Sequence, residues 1–253
     1  MTLRAVIFDV DGTLADTERD GHRVAFNAAF AEAGLSWHWS PELYGDLLKV
    51  PGGVDRLLHY ARAYHAPAIA DDKLQKLVQR LHARKTCHYV ERVAAGAVPL
   101  RPGIARLIAA ARQEGLRLAI ATTTTRANVI ALLQRSLGPR ATDTFEVLGT
   151  AQEVPTKKPD PAVYCWVLER LGLKAQEALA IEDSRNGLIA ATRARLACVV
   201  TPTPYSATEN FAEALMQLTD LDHHPDDPTR AVSVDDLRRW YARRIPVSGR
   251  RPI

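Results

Sequence analysis

The sequence predicts an α/β fold, a doubly wound (Rossmann-like) parallel sheet core with an inserted α-helical domain. Three observations carry that expectation. Val6-Ile7-Phe8 is an unbroken apolar run, as a strand buried on both faces requires. Beyond residue 96, apolar strands alternate with helical patterns of about 12 residues, which implies parallel pairing through right-handed crossovers. Between these parts, residues 17–95 show helical periodicity and no convincing strand. The expected division is 1–16 with 96–221 as the core, 17–95 as the helical insert, and 222–253 as a C-terminal extension.

The elements follow in order. The first strand runs into Asp9-Val10-Asp11-Gly12, and a polar stretch over 15–22 leads to a helical pattern through Val24, Phe26, Phe30 and Ala33, closed by Gly34. Ser40-Pro41 opens a second helix, serine as cap and proline in the first turn. Val50-Pro51-Gly52-Gly53 interrupts it, a third helix covers Val54 to Tyr64, and a fourth starts at Asp71 or Asp72 with Leu74, Leu77, Val78 and Leu81 in phase. The core resumes with a helix after Arg101-Pro102-Gly103, a strand at Leu116–Ala121, the run Thr122 to Thr125 and another helix. A strand near Phe145–Leu148, a helix over 160–171, strand Ala178–Ile181, a helix through Leu188 and a last strand at Cys198–Thr201 complete it. Residues 222–230 read as an irregular linker before a helix from Val234 to about Arg244.

Composition bounds the function classes. With 253 residues, 47% of them hydrophobic, the chain can bury a substantial core in one or two domains. No apolar run approaches the ~18 residues of a membrane span. The opening Met-Thr-Leu-Arg lacks the regions of a secretory leader, so a cytoplasmic protein is expected. Cys87, Cys165 and Cys198 are scattered without metal-ligand spacing and read as reduced thiols. The formal charge of +4 misleads, because six arginines (Arg238, Arg239, Arg243, Arg244, Arg250, Arg251) fall in the last 16 residues. Basic residues beside Trp240 and Tyr241 could contact nucleic acid, but such a helix more often packs its aromatics on the body.

The chemistry starts at Asp9 and Asp11. Two carboxylates at the mouth of a buried strand repel, by about 4 kcal/mol at 4 Å in a medium of effective dielectric 20. A hard divalent ion such as Mg2+ is the simplest remedy. An Asp-Gly turn is the plainer reading, but a turn has no need of Asp9. Thr122 follows a later strand, where its hydroxyl and the next N–H could hold a phosphate oxygen. Lys158, fixed beside Pro159, can neutralise phosphoryl charge. Glu182 and Asp183 end another strand and add oxygen ligands. Taken singly, these are a helix cap, a solvated lysine pair and an acidic helix start.

Asp9-Val10-Asp11-Gly12-Thr13-Leu14 resembles the first motif of the haloacid dehalogenase (HAD) superfamily of phosphotransferases. Thr122, Lys158 and Glu182-Asp183-Ser184-x-x-Gly187 resemble the second, third and fourth, in order. The resemblance spans residues 9–187 and implies Asp9 as nucleophile and Asp11 as general acid/base, with Thr122 and Lys158 completing the catalytic set. It implies Mg2+ held by Asp9, the Asp11 carbonyl and Asp183, with Glu182 nearby. The insert takes the position of the family's cap domain, and Lys49-Val50-Pro51-Gly52-Gly53 resembles the specificity loop of β-phosphoglucomutase-like members.

Ala83-Arg84-Lys85-Thr86, Leu100-Arg101-Pro102-Gly103, Asp16-Thr17-Glu18 and His22-Arg23 narrow the likeness to the CbbY group. That group is associated with dephosphorylating xylulose 1,5-bisphosphate, a Rubisco inhibitor of the Calvin cycle, to xylulose 5-phosphate. The implied substrate contacts are Glu18, His22, Lys49, Gly52, Gly53, Arg56, Lys85, Thr122, Thr123 and Lys158, with Arg84 a further candidate for the second phosphate. The expected partner is a small sugar (bis)phosphate, with no nucleic acid, no membrane and a monomeric chain. Mutase members carry a histidine four residues after the threonine of this run; here that position is Gly21, and His22 comes one later, which weighs against a phosphomutase. A dehalogenase would lack the metal that Asp11, Glu182 and Asp183 suit, and a silent phosphosugar-binding protein would have no use for the four intact motifs.

Overall fold

The computed structural model describes residues 2–65 and 71–243; Arg244, Arg250 and Arg251 lie outside them. Within the described residues one sheet contains β1 (Ala5–Phe8), β2 (Arg117–Ala121), β3 (Val147–Gly149), β4 (Ala178–Glu182), β5 (Ala197–Val200) and β6 (Met216–Gln217). The spatial order is β3-β2-β1-β4-β5-β6, every pair parallel. The short β6 is a sixth strand beyond the expected set; two residues carry too little pattern to be read from sequence.

Alternation along β1 shows the double winding. Val6 and Phe8 join one apolar cluster, and Ala5 and Ile7 join another on the opposite face. Each side chain of β1 is fully buried, so the central strand has no wet face. Burying residues of this size contributes about 1.5–3 kcal/mol each. The switch point lies at β1, with β2 on one side and β4 on the other. Carboxyl ends of these strands therefore converge, and a ligand site is expected there.

The insert after β1 carries four helices among the described residues: α1 (Arg23–Glu32), α2 (Pro41–Leu47), α3 (Gly53–His65) and α4 (Asp71–Ala94). Ser40 Oγ accepts from Leu43 N at 3.2 Å with Pro41 in the first turn, as the cap residues require. These helices close over Phe26, Phe30, Trp39, Tyr44, Leu57, Val78 and Leu81. The far half of α4 instead packs Tyr89 and Val93 into the sheet's own cluster.

One feature here has no counterpart in the sequence pattern. Residues Thr17–His22 form a π-helical turn, its end marked by Arg23 N–H bonding to Glu18 O.

The remaining helices are α5 (Ile104–Gln113), α6 (Arg126–Leu137), α7 (Ala162–Leu171), α8 (Arg185–Arg193) and α9 (Val234–Arg243). α9 packs on α5 and buries Leu237, Trp240 and Tyr241. Its fully buried Asp236 takes Arg230 at 2.7 Å, Ser233 N at 2.9 Å and His224 Nε2 at 3.3 Å, and pairs with Arg239. The aromatics thus face the body, with no stacking surface left to solvent. No described helix is long and apolar enough to cross a membrane.

Candidate active site

Register places the floor of the site. Phe8 pairs with Ile120 and with Ile181, so Asp9 emerges level with Ala121 on one side and Glu182 on the other. Lys158 Nζ enters between them, donating to Asp9 Oδ1 at 2.7 Å, Glu182 Oε1 at 2.6 Å and Ala121 O at 2.9 Å. Tyr164 donates its hydroxyl to the same Glu182 oxygen. All of these side chains are buried.

Asp9, Glu182 and Asp183 present carboxylate oxygens within 4.8 Å of one another. Each such pair repels by about 3–4 kcal/mol at an effective dielectric of 20, against one lysine. Burial pushes Asp9 up to about 7; Lys158 pulls it down and Glu182 pushes it back. Burial, then Asp9 and Glu182, also holds the Asp183 carboxyl well above its usual range. Lys158 stays charged, since its two carboxylates outweigh the cost of burial.

Two glycines in the motifs are explained by space. A Cβ at Gly12 would run into the Asp183 carboxylate, and one at Gly187 into that of Glu182. Ser184 caps α8 by accepting from Gly187 N at 3.2 Å, and Ser206 Oγ donates to Asp183 O at 2.7 Å. Thr122 is buried beside the floor with its Oγ1 accepting from Thr124 N at 3.2 Å, and Thr123 lines the same cavity.

Asp11 faces elsewhere. Its Oδ1 accepts from Thr17 Oγ1 at 2.6 Å and lies 3.0 Å from His22 Nε2. A charged carboxylate only accepts, so the imidazole carries its proton on Nε2. Burial opposes the charge on Asp11, but His22, Thr17 and Lys85 outweigh it and hold the carboxyl below its usual range. Asp11 could thus offer a metal its backbone carbonyl, while its carboxylate stays outside the acidic cluster.

The helical insert supplies the roof of a cavity of about 400 Å3. Buried Arg56 donates to Leu47 O at 3.1 Å and Tyr44 Oη at 3.0 Å, and its guanidinium comes within 3.9 Å of Glu18. Tyr44 in turn bonds Glu18. Buried Lys85 lies over the rings of Phe26 and Tyr89, with burial lowering it to about 8 despite Glu18 and Asp11. Gly52 and Gly53 form the lip. Lys49 stands at the rim, exposed and paired with Asp46. Arg84 points to the outer face, paired with Glu32.

A family model for haloacid dehalogenase-like hydrolases matches residues 3–195. The chain belongs to this family. It is a HAD phosphatase. It is 52% identical over 247 residues to a CbbY protein of Cupriavidus necator, covering 94% of this chain and 97% of that one. The crystal structure of CbbY from Rhodobacter sphaeroides with phosphate has a TM-score of 0.80 at 42% identity, covering 87% of this chain and 95% of the other. A variant of that protein in complex with xylulose-(1,5)bisphosphate gives 0.80 at 41%.

Against this family pattern, the offset of His22 loses its weight. A π-helical turn brings residues five apart onto one face, as an α-helical turn does for four. Thr17 and His22 therefore both reach Asp11, and the extra residue is absorbed. A side chain at Gly21 would meet Tyr89, whose Cε2 would lie 2.7 Å from its Cβ.

Tyr164, Tyr44 and His82 carry no motif that marks them in the sequence, and Arg101, part of a recognised run, has no role assigned to it there. Arg101 spans from Asp16 to Thr201 Oγ1 at 3.1 Å and Pro202 O at 3.0 Å, and also donates to Gly12 O. His82, half-buried at the lip, is lowered to about 4 by burial and then by Lys85. A helical count separates the two expected cations: Lys85 continues the stripe Leu74, Val78, Leu81 to Tyr89, and Arg84 falls off it.

Proposed function

We propose that the chain is a Mg2+-dependent sugar-phosphate phosphatase that converts xylulose 1,5-bisphosphate to xylulose 5-phosphate and phosphate through a phosphoaspartate, as a monomer in the cytoplasm. This would remove a Rubisco inhibitor from the Calvin cycle. One observation carries the reading: Asp9, gripped by Lys158, faces a cavity whose roof holds two buried cations, Arg56 and Lys85. A bisphosphate is the substrate class that needs anion contacts at both ends. The likeness to CbbY, one structure of which holds this bisphosphate, supports it.

The donor set suits a hard divalent cation, since three buried carboxylates lie together and Lys158 pairs with two of them. Asp9, Asp183 and the Asp11 carbonyl would hold Mg2+, with Glu182 fixed by Lys158 and Tyr164 beside them. When bound, the cation would lower the carboxylate pKa values and offset the charge of the phosphoryl group.

Asp9 attacks phosphorus, and the bond to the sugar oxygen breaks as that oxygen takes a proton from Asp11. For this step the approaching anion must loosen Asp11 from Thr17 and His22. In the second step Asp11 is again a carboxylate, the form its partners favour, and takes a proton from the water that attacks the aspartyl phosphate. Lys158 and Thr122 stabilise phosphoryl charge in both steps. Unaided phosphate-monoester hydrolysis is so slow that enhancements reach ~10^21, so this electrostatic frame must dominate.

Phosphate release from a panel of sugar mono- and bisphosphates, with Mg2+ and with chelator, tests the reading. Strong Mg2+-dependent preference for xylulose 1,5-bisphosphate is expected; weak activity on all of them would overturn the substrate assignment. The contact of His22 with Asp11 favours a second reading, a phosphomutase. Isomerisation of a hexose phosphate that requires a bisphosphate activator would establish that one instead.

A further inference from the structure

Lys157 stands beside Lys158 and faces the other way. Its Nζ crosses to the helical insert, donating to Pro51 O at 3.2 Å and pairing with the Asp55 carboxylate. Its stem fills the place of a missing side chain: a Cβ at Gly52 would lie 2.7 Å from Lys157 Cε and 3.2 Å from its Cδ. Gly52 sits at φ +90°, a conformation that glycine adopts without strain. The contact is therefore fitted from both sides, a slot for the stem and two acceptors for the head.

The segment it grips is the lip of the cavity and the first turn of α3, where Arg56 N bonds Gly52 O at 3.0 Å. One dipeptide thus touches both halves of the site: Lys158 holds the nucleophile and Lys157 holds the lip.

We propose that Lys157 is a positioning residue that fixes the 50–56 segment, and with it Arg56, over the cavity. Substrates that span from floor to roof depend on it, and small phosphate esters that fill only the floor do not. This rests on the reading above that the substrate reaches the roof. Lys157 and Asp55 keep 36% and 55% of their side-chain surface exposed, so the effect is modest. About three- to fivefold is the scale for such a pair.

The test uses the full chain with Mg2+. Lys157→Met and Asp55→Asn each raise KM for xylulose 1,5-bisphosphate about three- to fivefold, with kcat held within about twofold. Hydrolysis of p-nitrophenyl phosphate changes less than about twofold, and the double variant is no worse than either single one. In Lys157→Met the amides of residues 53–58 exchange hydrogen faster than in the parent. Equal loss on both substrates, additive single effects, or unchanged KM and unchanged exchange would overturn the proposal. If the parent itself ignores the bisphosphate, the substrate reading fails, and amide exchange alone decides whether Lys157 holds the lip.

Discussion

Asp9 and Asp11 lie two residues apart on one turn, yet they belong to different regions of the molecule. Asp9 belongs to the floor, where strand ends crowd three carboxylates around Lys158 and burial lifts its pKa to about 7. Asp11 belongs to the side of the helical insert, where Thr17 and His22 of the π-helical turn keep it charged. The same side chain is thus prepared for two tasks by whichever element faces it. The floor is tuned by the sheet, and the proposed acid/base by the first turn of the insert.

Lys158→Met breaks the floor and should have the largest effect. It leaves Asp9 and Glu182 buried without their cation, which costs about 3–5 kcal/mol of stability. Phosphate release should fall at least ~100-fold. Thermal melting and initial rates measure both, and a rate loss below about tenfold would mean that the floor does not carry the charge.

His22→Asn acts on the other region alone. Its kcat should fall about tenfold, less than the 10^2–10^4 of a complete general acid–base group. The sign of the pH effect follows from the contact. His22 holds the Asp11 carboxyl low, so its loss raises that pKa. The second step needs the carboxylate, so the acid limb of the rate profile should move to higher pH. An unmoved limb would separate His22 from Asp11.

Asp236→Asn touches neither region and should show the smallest effect on turnover. Losing a buried charged acceptor costs about 2–3 kcal/mol at neutral pH, with kcat within about twofold of the parent. The folded Asp236 carboxyl lies below its unfolded value because Arg230, Ser233 and Arg239 overcome its burial. Its contribution is therefore present above the unfolded pKa near 4 and is lost as pH falls below it. Melting curves of parent and variant should begin to converge as pH drops below about 4 and continue to do so toward the lower, folded value.

The two regions also differed in how far the sequence disclosed them. The floor carboxylates and Thr122 each follow or end a strand, so a local apolar run and the residue after it were enough to locate Asp9, Thr122 and Glu182-Asp183, while Lys158 was marked by the proline beside it. The roof depends on which way a helix turns. Arg84 and Lys85 are neighbours in sequence, yet Lys85 lies on the buried stripe of α4 and Arg84 pairs outward with Glu32. The π-helical turn has no sequence period of its own at six residues, so the reach of His22 to Asp11 was hidden. Lys157 was hidden for a similar reason: its partners Pro51 and Asp55 are about a hundred residues away, and only the folded chain brings them together.

The most direct test of the chemistry is to quench the enzyme with acid during turnover and locate any phosphoryl group by mass spectrometry of its peptides. A phosphoryl group on the peptide carrying Asp9, absent from Asp9→Asn, is the predicted result. Full turnover with no phosphorylated peptide, or with the group on another residue, would contradict Asp9 as the nucleophile.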